Sequence, residues 1–282
     1  MKKINIFKSF VFLSISFFQF NSVLLAQGTR LLRQPSASKE HIAFVHGDDI
    51  WITSIAGGDA RRLTSAMGTE LNPRISPDGK MVAFTGQYDG NTDVYIVPIE
   101  GGMPTRLTWH PGADLVQGWF PDSRKIIFTS AMEGYPTANT KFFTVTANGG
   151  NTEAMNLPFG FTGSLSGDGQ YMAYQPYSFW DPEWRNYRGG QAQPIWIFNV
   201  KTQETIKTVQ GNKERHTSPA WENGFVYFLS EQDYINNVWS YNPKTKEQKQ
   251  LTFHKDFDAK NLSASNGKVI YEQGGYLHSL DI

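Results

Sequence analysis

The 282-residue sequence predicts an all-β chain, a six-bladed β-propeller, and three observations carry that prediction. A hairpin motif built on a tight turn recurs six times along the chain. The spacing between turns stays close to the length of one four-stranded blade. No stretch shows apolar residues sustained at helical spacing, whereas aromatics make up 14% of the chain and Gly and Pro number 26 and 14.

The repeat is read from six segments. "LLRQPSASKEHIAF" (Leu31 to Phe44), "LNPRISPDGKMVAFTG" (Leu71 to Gly86), "VQGWFPDSRKIIFTS" (Val116 to Ser130) and "TGSLSGDGQYMAYQP" (Thr162 to Pro176) share one plan, a short strand, a turn and a second strand. "SPAWENGFVYFLS" (Ser218 to Ser230) and "LSASNGKVIYEQ" (Leu262 to Gln273) are degenerate copies. Asp-Gly and Asn-Gly suit such turns because Gly reaches positive φ without penalty and Asn or Asp with a reduced one. A second hairpin follows in most copies: "DIWITSIAGGDARRLT" (Asp49 to Thr64) matches "DVYIVPIEGGMPTRLT" (Asp93 to Thr108) almost position for position. "KFFTVTANGGNTEAMNL", "PIWIFNVKTQETIKTV" and "NVWSYNPKTKEQKQLT" repeat the form, the last two with Lys-Thr turns. The turns at Glu40, Asp78, Asp122, Asp168, Asn223 and Asn266 are 38, 44, 46, 55 and 43 residues apart, which is the propeller period. A sandwich would not repeat one turn chemistry at this spacing.

The blades are placed at about 29–66, 67–110, 111–158, 159–210, 211–254 and 255–282. The sixth has sequence for three strands, so its outermost strand is expected to be missing and the chain is expected to be a piece of a longer protein. A third strand left open would be an aggregation-prone edge.

The first residues, "MKKINIFKSFVFLSISFFQFNSVLLAQG", have the lysines, short apolar core and small residue Ala26 of a secretory signal peptide spanning 1–26. Lys8, serines and Gln19 interrupt the core, so no stable membrane span is expected, with an uncleaved N-terminal anchor as the alternative. Absence of cysteine suits an exported, periplasmic chain and excludes a lipoprotein anchor, disulfides and a Cys nucleophile. With 26 basic and 26 acidic side chains there is no field to favour nucleic acid.

Catalytic motifs are sparse. "GSLSGDG" misses the nucleophile elbow because Leu165 holds the serine position, and Ser166 reads as a turn residue. His46 with Asp48 and Asp49, and His254 with Asp256 and Asp258, can be drawn as metal sites, but acidic residues in turns are commoner and no metal or cofactor is expected. Arg61 and Arg62 read as a solvated blade edge, and the Gly-Gly pairs as hairpin turns rather than a phosphate loop. No catalytic residue is assigned. A propeller glycosidase or lyase would need acids or histidines converging on the channel.

The 55-residue step marks an insertion in blade four, "YSFWDPEWRNYRGGQAQ", between its second and third strands. It has two readings: a loop folded over its own blade, or a channel rim and contact surface whose candidate residues are Trp180, Trp184, Arg185, Tyr187 and Arg188.

"WRNYRGGQAQPIWIF" (Trp184 to Phe198) resembles the Trp-x-x-Tyr-Arg-Gly-Gly then Ile-Trp-Ile stretch of the N-terminal six-bladed propeller of tricorn-type proteases. "LLRQPSASKEHIAFVHGDDIWI" is similar to that domain's opening strands, and the resemblance runs from about Thr29 to the C-terminus. The "SPDG" and "GG…RLT" repeats alone fit any TolB-type propeller. The resemblance implies a large self-compartmentalising serine peptidase whose catalytic Ser and His lie in later domains, after a seven-bladed propeller and a PDZ-like domain. The propellers then filter substrates or release products. The implied partners are peptides or unfolded protein segments and the remaining domains or subunits of the peptidase. None of the catalytic positions falls on this chain, and the signal sequence departs from a cytoplasmic archetype. The alternative is a stand-alone periplasmic TolB-like propeller acting as a protein-binding scaffold.

Overall fold

The computed structural model describes residues 29–133, 139–178 and 184–282, and their regular structure is entirely strand. Blade one holds β1 (Arg33–Ala37), β2 (His41–His46), β3 (Asp49–Ser54) and β4 (Arg61–Arg62). Blade two holds β5 (Thr69–Ile75), β6 (Met81–Tyr88), β7 (Asn91–Pro98) and β8 (Thr105–Arg106). Blade three holds β9 (Asp114–Trp119), β10 (Lys125–Ser130), β11 (Lys141–Thr146) and β12 (Glu153–Ala154). Blade four follows with β13 (Thr162–Leu165), β14 (Tyr171–Gln175), β15 (Trp196–Asn199) and β16 (Thr205–Lys207). Blade five has β17 (His216–Glu222), β18 (Phe225–Ser230), β19 (Asn237–Tyr241) and β20 (Gln248–Gln250). Blade six has β21 (Lys260–Ser265), β22 (Lys268–Gln273) and β23 (Tyr276–Asp281). Each sheet is an antiparallel meander in sequence order, and the last has three strands, so the fold is a six-bladed β-propeller.

The core lies between blades rather than within them. The second strand of each blade is packed on both faces, so "HIAFVH" and "MVAFTG" are almost continuously buried instead of alternating. Six apolar clusters correspond to the six blade interfaces. Val45, Ile50 and Ile52 meet Val82, Phe84 and Val97 between blades one and two, and Val94 and Ile96 meet Phe128 and Val145 between two and three. Ile42 and Phe44 meet Ile270 between blades one and six, which closes the ring. At that seam Leu32 N–H donates to Gly275 O at 3.4 Å, and the Gln34 N–H donates to the Glu272 carboxylate.

The turns follow two chemistries where the sequence suggests one. At Asn223-Gly224 and Asn266-Gly267 both residues have positive φ, as expected of two-residue hairpins. At Asp78-Gly79 and Asp168-Gly169 only the glycine does. The aspartate instead works through its side chain: Asp78 Oδ1 accepts from Ser76 Oγ at 2.6 Å and from the Lys80 N–H at 3.2 Å. Asp168 repeats this with Ser166 and Gln170 at 2.6 and 3.0 Å. The hydrogen bond from each serine holds these carboxyls below the usual carboxylate range.

Meander order also sorts the loops onto two faces. Loops joining second to third strands, and those joining one blade to the next, share one face of the disc; the turns inside the two hairpins of each blade share the other.

Candidate functional site

The innermost strands β1, β5, β9, β13, β17 and β21 surround a central channel of about 670 Å³. Their wall carries a repeated irregularity. In β1, β5, β17 and β21 the register slips at a residue held in the left-handed region, namely Gln34, Asn72, Ser218 and Asn261, with φ of 51°, 52°, 52° and 43°. Pro35, Pro73 and Pro219 follow the first three, where a missing N–H costs no ladder bond. Neighbouring blades satisfy the displaced amides: Asn72 N–H donates to Gln34 Oε1 at 2.8 Å and Ser218 N–H to Gln175 Oε1 at 3.2 Å. Serine hydroxyls do the same two residues on, Ser36 accepting from Ile75 N–H at 2.9 Å, Ser164 from Trp221 N–H at 3.1 Å and Ser263 from Ala37 N–H at 3.4 Å. The channel is thus bounded by a belt of inter-blade hydrogen bonds.

One position of this wall breaks the pattern. Ser36, Arg74, Gly118, Ser164, Ala220 and Ser263 occupy equivalent places, opposite Ala43, Ala83, Ile127, Ala173, Tyr227 and Ile270 of the second strands. Five are small and one is arginine. Arg74 Nε donates to Gln117 O on the next blade at 2.9 Å and Nη1 to Pro73 O at 3.0 Å. Removal from water lowers its pKa to about 10, so it stays cationic at neutral pH. Among the described residues Glu222 is the single carboxylate of the wall, so a pair of acids does not converge there.

The blade-four insertion reaches the channel wall through Arg215. Glu231, buried in the loop after β18, accepts from Arg188 Nη1 at 2.9 Å, Arg215 Nη2 at 3.1 Å, Arg215 Nε at 3.3 Å and Asn186 N–H at 3.1 Å. Arg215 also donates to the Trp184 carbonyl, and Arg188 Nη2 to the Glu231 carbonyl at 3.1 Å. Two charges and four donors on one buried carboxylate make this a fully paired cluster. Arg185 pairs with Asp258, before blade six, at 2.7 Å. The Trp184 and Tyr187 rings lie 5.2 Å apart, and a Cβ at Gly189 would meet the Tyr187 hydroxyl at 2.0 Å, so a side chain there would displace that ring. Arg185, Arg188 and the Trp184 carbonyl therefore tie the loop to residues of blade five and the blade-six linker. Trp180 lies outside the described residues.

A serine-protease-like arrangement that the sequence did not reveal occurs at Thr208, His216 and Glu214. Thr208 Oγ1 is 2.7 Å from His216 Nδ1, and His216 Nε2 is 3.3 Å from Glu214 Oε1. All three are buried, and the same hydroxyl accepts the Ile195 N–H at 2.9 Å. Thr64, Thr108 and Thr252 repeat this contact with Ile50, Val94 and Val238 at 3.0, 3.0 and 2.9 Å. They pass their own proton to Glu70, Asp93 and Asn237. Four copies in four blades identify a latch fastening the outer strand, not a nucleophile. The threonines of "RLT" and "QLT" were the visible trace of it.

Asp48, Asp49 and His254, drawn as metal ligands, are engaged elsewhere. Asp48 pairs with Arg33 at 3.5 Å, Asp49 with Arg62 at 2.8 Å, and His254 Nε2 meets Tyr271 OH at 2.9 Å. Among the described residues no three His, Asp or Glu side chains gather as a metal site. Arg61 donates to Ile99 O, tying blade one to blade two.

Exposed rings are distributed unevenly. Trp109, Tyr177, Trp184, Tyr234, Phe253 and Phe257 all sit in loops of the face that carries the insertion. On the opposite face Phe225 alone joins them among the described residues, at 36% exposure.

Comparison with known proteins places the chain. Residues 29–282 match the family described as the tricorn protease N-terminal beta propeller domain. A tricorn protease homolog of Saccharolobus solfataricus is 28% identical over 259 residues, covering 88% of this chain and 23% of the relative. Tricorn protease homolog 1 of Streptomyces coelicolor is 30% identical over 254 residues, covering 89% and 23%. The crystal structure of the tricorn protease superposes with a TM-score of 0.77 at 24% identity, over 89% of this chain and 25% of that one. A TolB from Agrobacterium tumefaciens, at TM-score 0.64 and 15% identity over 90% and 91% of the two chains, shares the fold. The chain spans about a quarter of the relatives it matches, and it belongs to the tricorn protease family as the N-terminal β-propeller domain.

Proposed function

We propose that this propeller is the peptide-docking and gating module of an exported tricorn-like serine peptidase whose catalytic domains lie outside this chain. The observation that carries the reading is the coincidence of a central channel lined by polar side chains with six exposed aromatic rings and the anchored insertion around one face. Aromatic rings on a rigid frame are typical anchors for a partner surface or an unfolded segment. The names of the relatives support a peptidase context, and the signal pattern at 1–26 supports export, with the mature chain beginning at Gln27.

Two measurements test this. Fluorescence anisotropy with labelled, reduced and carboxymethylated lactalbumin is expected to show binding that Trp184→Ala weakens about five-fold, the loss of one hot-spot contact. No binding by the native chain, or release of peptide fragments by the purified chain itself, would overturn the docking reading. N-terminal sequencing of periplasmic protein checks export separately: a chain retaining Met1 in the cytoplasm removes it.

A further inference from the structure

We propose that Arg74 makes the channel selective for acidic peptides, taking a Glu or Asp side-chain carboxylate against its guanidinium. This rests on the reading that peptide enters the channel. The argument begins with the interruption of a pattern: at the wall position held by Ser36, Gly118, Ser164, Ala220 and Ser263, only blade two places a long cation. The small residues leave the volume into which Arg74 extends.

Its bonds do not use the charge. Two carbonyl oxygens, of Gln117 and Pro73, take one N–H each from Nε and Nη1, while Nη2 has no protein acceptor and no carboxylate pairs with the group among the described residues. A guanidinium presents five donors in a fork matched to a carboxylate. A half-desolvated cation without a counter-charge is costly, and an anionic guest removes that cost.

The rest of the wall does not supply the missing anion. Glu231 is taken up by Arg215 and Arg188, and Glu222 accepts the Gly267 N–H at 3.0 Å. Lys260 adds a further positive charge. Around these, the carboxamides and hydroxyls of Gln34, Asn72, Ser218 and Ser263 offer the hydrogen-bonding surface that a peptide backbone requires. A peptide with acidic side chains is thus matched both by the wall and by the charge.

The test uses the chain with two capped peptides, acetyl-Gly-Glu-Glu-Gly-amide and acetyl-Gly-Gln-Gln-Gly-amide, and with glutarate, by isothermal titration at low salt. The acidic peptide is expected to bind about ten-fold more tightly than its glutamine counterpart, in line with a charge-assisted bidentate contact. Arg74→Gln is expected to abolish the difference, and Arg74→Lys to keep part of it; thermal melts report whether either variant has lost the fold. Equal binding of the two peptides to the native chain overturns the proposal and leaves peptide docking standing. A preference that survives in a folded Arg74→Gln chain also overturns it. So does failure of both peptides to bind, or glutarate binding as tightly as the acidic peptide, which would make the site one for small dicarboxylates.

Discussion

Thr208, the blade-four counterpart of the "RLT" threonines, shows how a single hydroxyl is used twice. Thr208 accepts the Ile195 N–H and donates to His216 Nδ1, which leaves the His216 proton on Nε2, facing Glu214. Burial outweighs the carboxylate and lowers the His216 pKa below its ordinary value near 6.5. For Glu214 burial acts to raise the pKa, but hydrogen bonds from His216 and from the Asn212 and Gly211 amides together hold it at about 2. A neutral histidine donating to a charged glutamate satisfies both directions. The linkage has one sign: the unfolded chain binds protons that the folded site refuses, so both groups lose stabilisation on acidification. His216 contributes above about pH 6.5 and loses its share below it, and Glu214 loses its share between about 4.5 and 2. The melting temperature is expected to fall between pH 7 and 5, with a shallower slope in His216→Gln; an unchanged slope would remove His216 from the account. Thr208→Val, which strands a buried N–H and the imidazole nitrogen, is expected to cost about 1–3 kcal/mol in urea unfolding.

At the scale of elements, the insertion is the place where reading the residues went part of the way. The 55-residue step located it, and the density of tryptophan and arginine made a contact surface one of its two readings, beside a loop folded over its own blade. What it grips was invisible, because Glu231 and Arg215 are in another blade and only the ring brings them beside Arg188. The hairpin turns were legible for the converse reason, since their chemistry is local to four residues. The bulges of the inner strands escaped notice because left-handed backbone is not expected of Gln34 or Ser218, and Asn72 lies inside a strand segment rather than at a turn. Glu231→Gln is expected to free the insertion by weakening both ion pairs. Limited proteolysis should then cut near Trp184 to Arg188 at least several-fold faster than in the native chain, while blade strands remain protected. Equal cleavage rates would mean that the loop is held by its aromatic packing instead.

For the whole molecule, blade number and order follow from period alone, and the missing outer strand of blade six was visible in its three strand segments. The manner of closure was not, because it depends on packing across the ring. Among the described residues the seam buries Ala37, Ile42, Phe44 and Ile270, four residues, against eleven between blades one and two. Less apolar surface is buried at that interface, so opening there costs less than elsewhere. Hydrogen-exchange mass spectrometry is expected to show amides of β1 and β22 exchanging before those of β6, and exchange of β6 at the same rate as β1 would refute a weak seam.

The belt of hydrogen bonds around the channel gives the disc a further property. The seam between Phe44 and Ile270 keeps its inner-strand hydrogen bonds but has the smallest apolar cluster, and it joins the two blades farthest apart along the chain. Under tension applied at Arg33 and Asp281, the load falls across that single joint before any other blade feels it. The ring then behaves as a clasp that springs at one point, its remaining blades still stacked as an open arc.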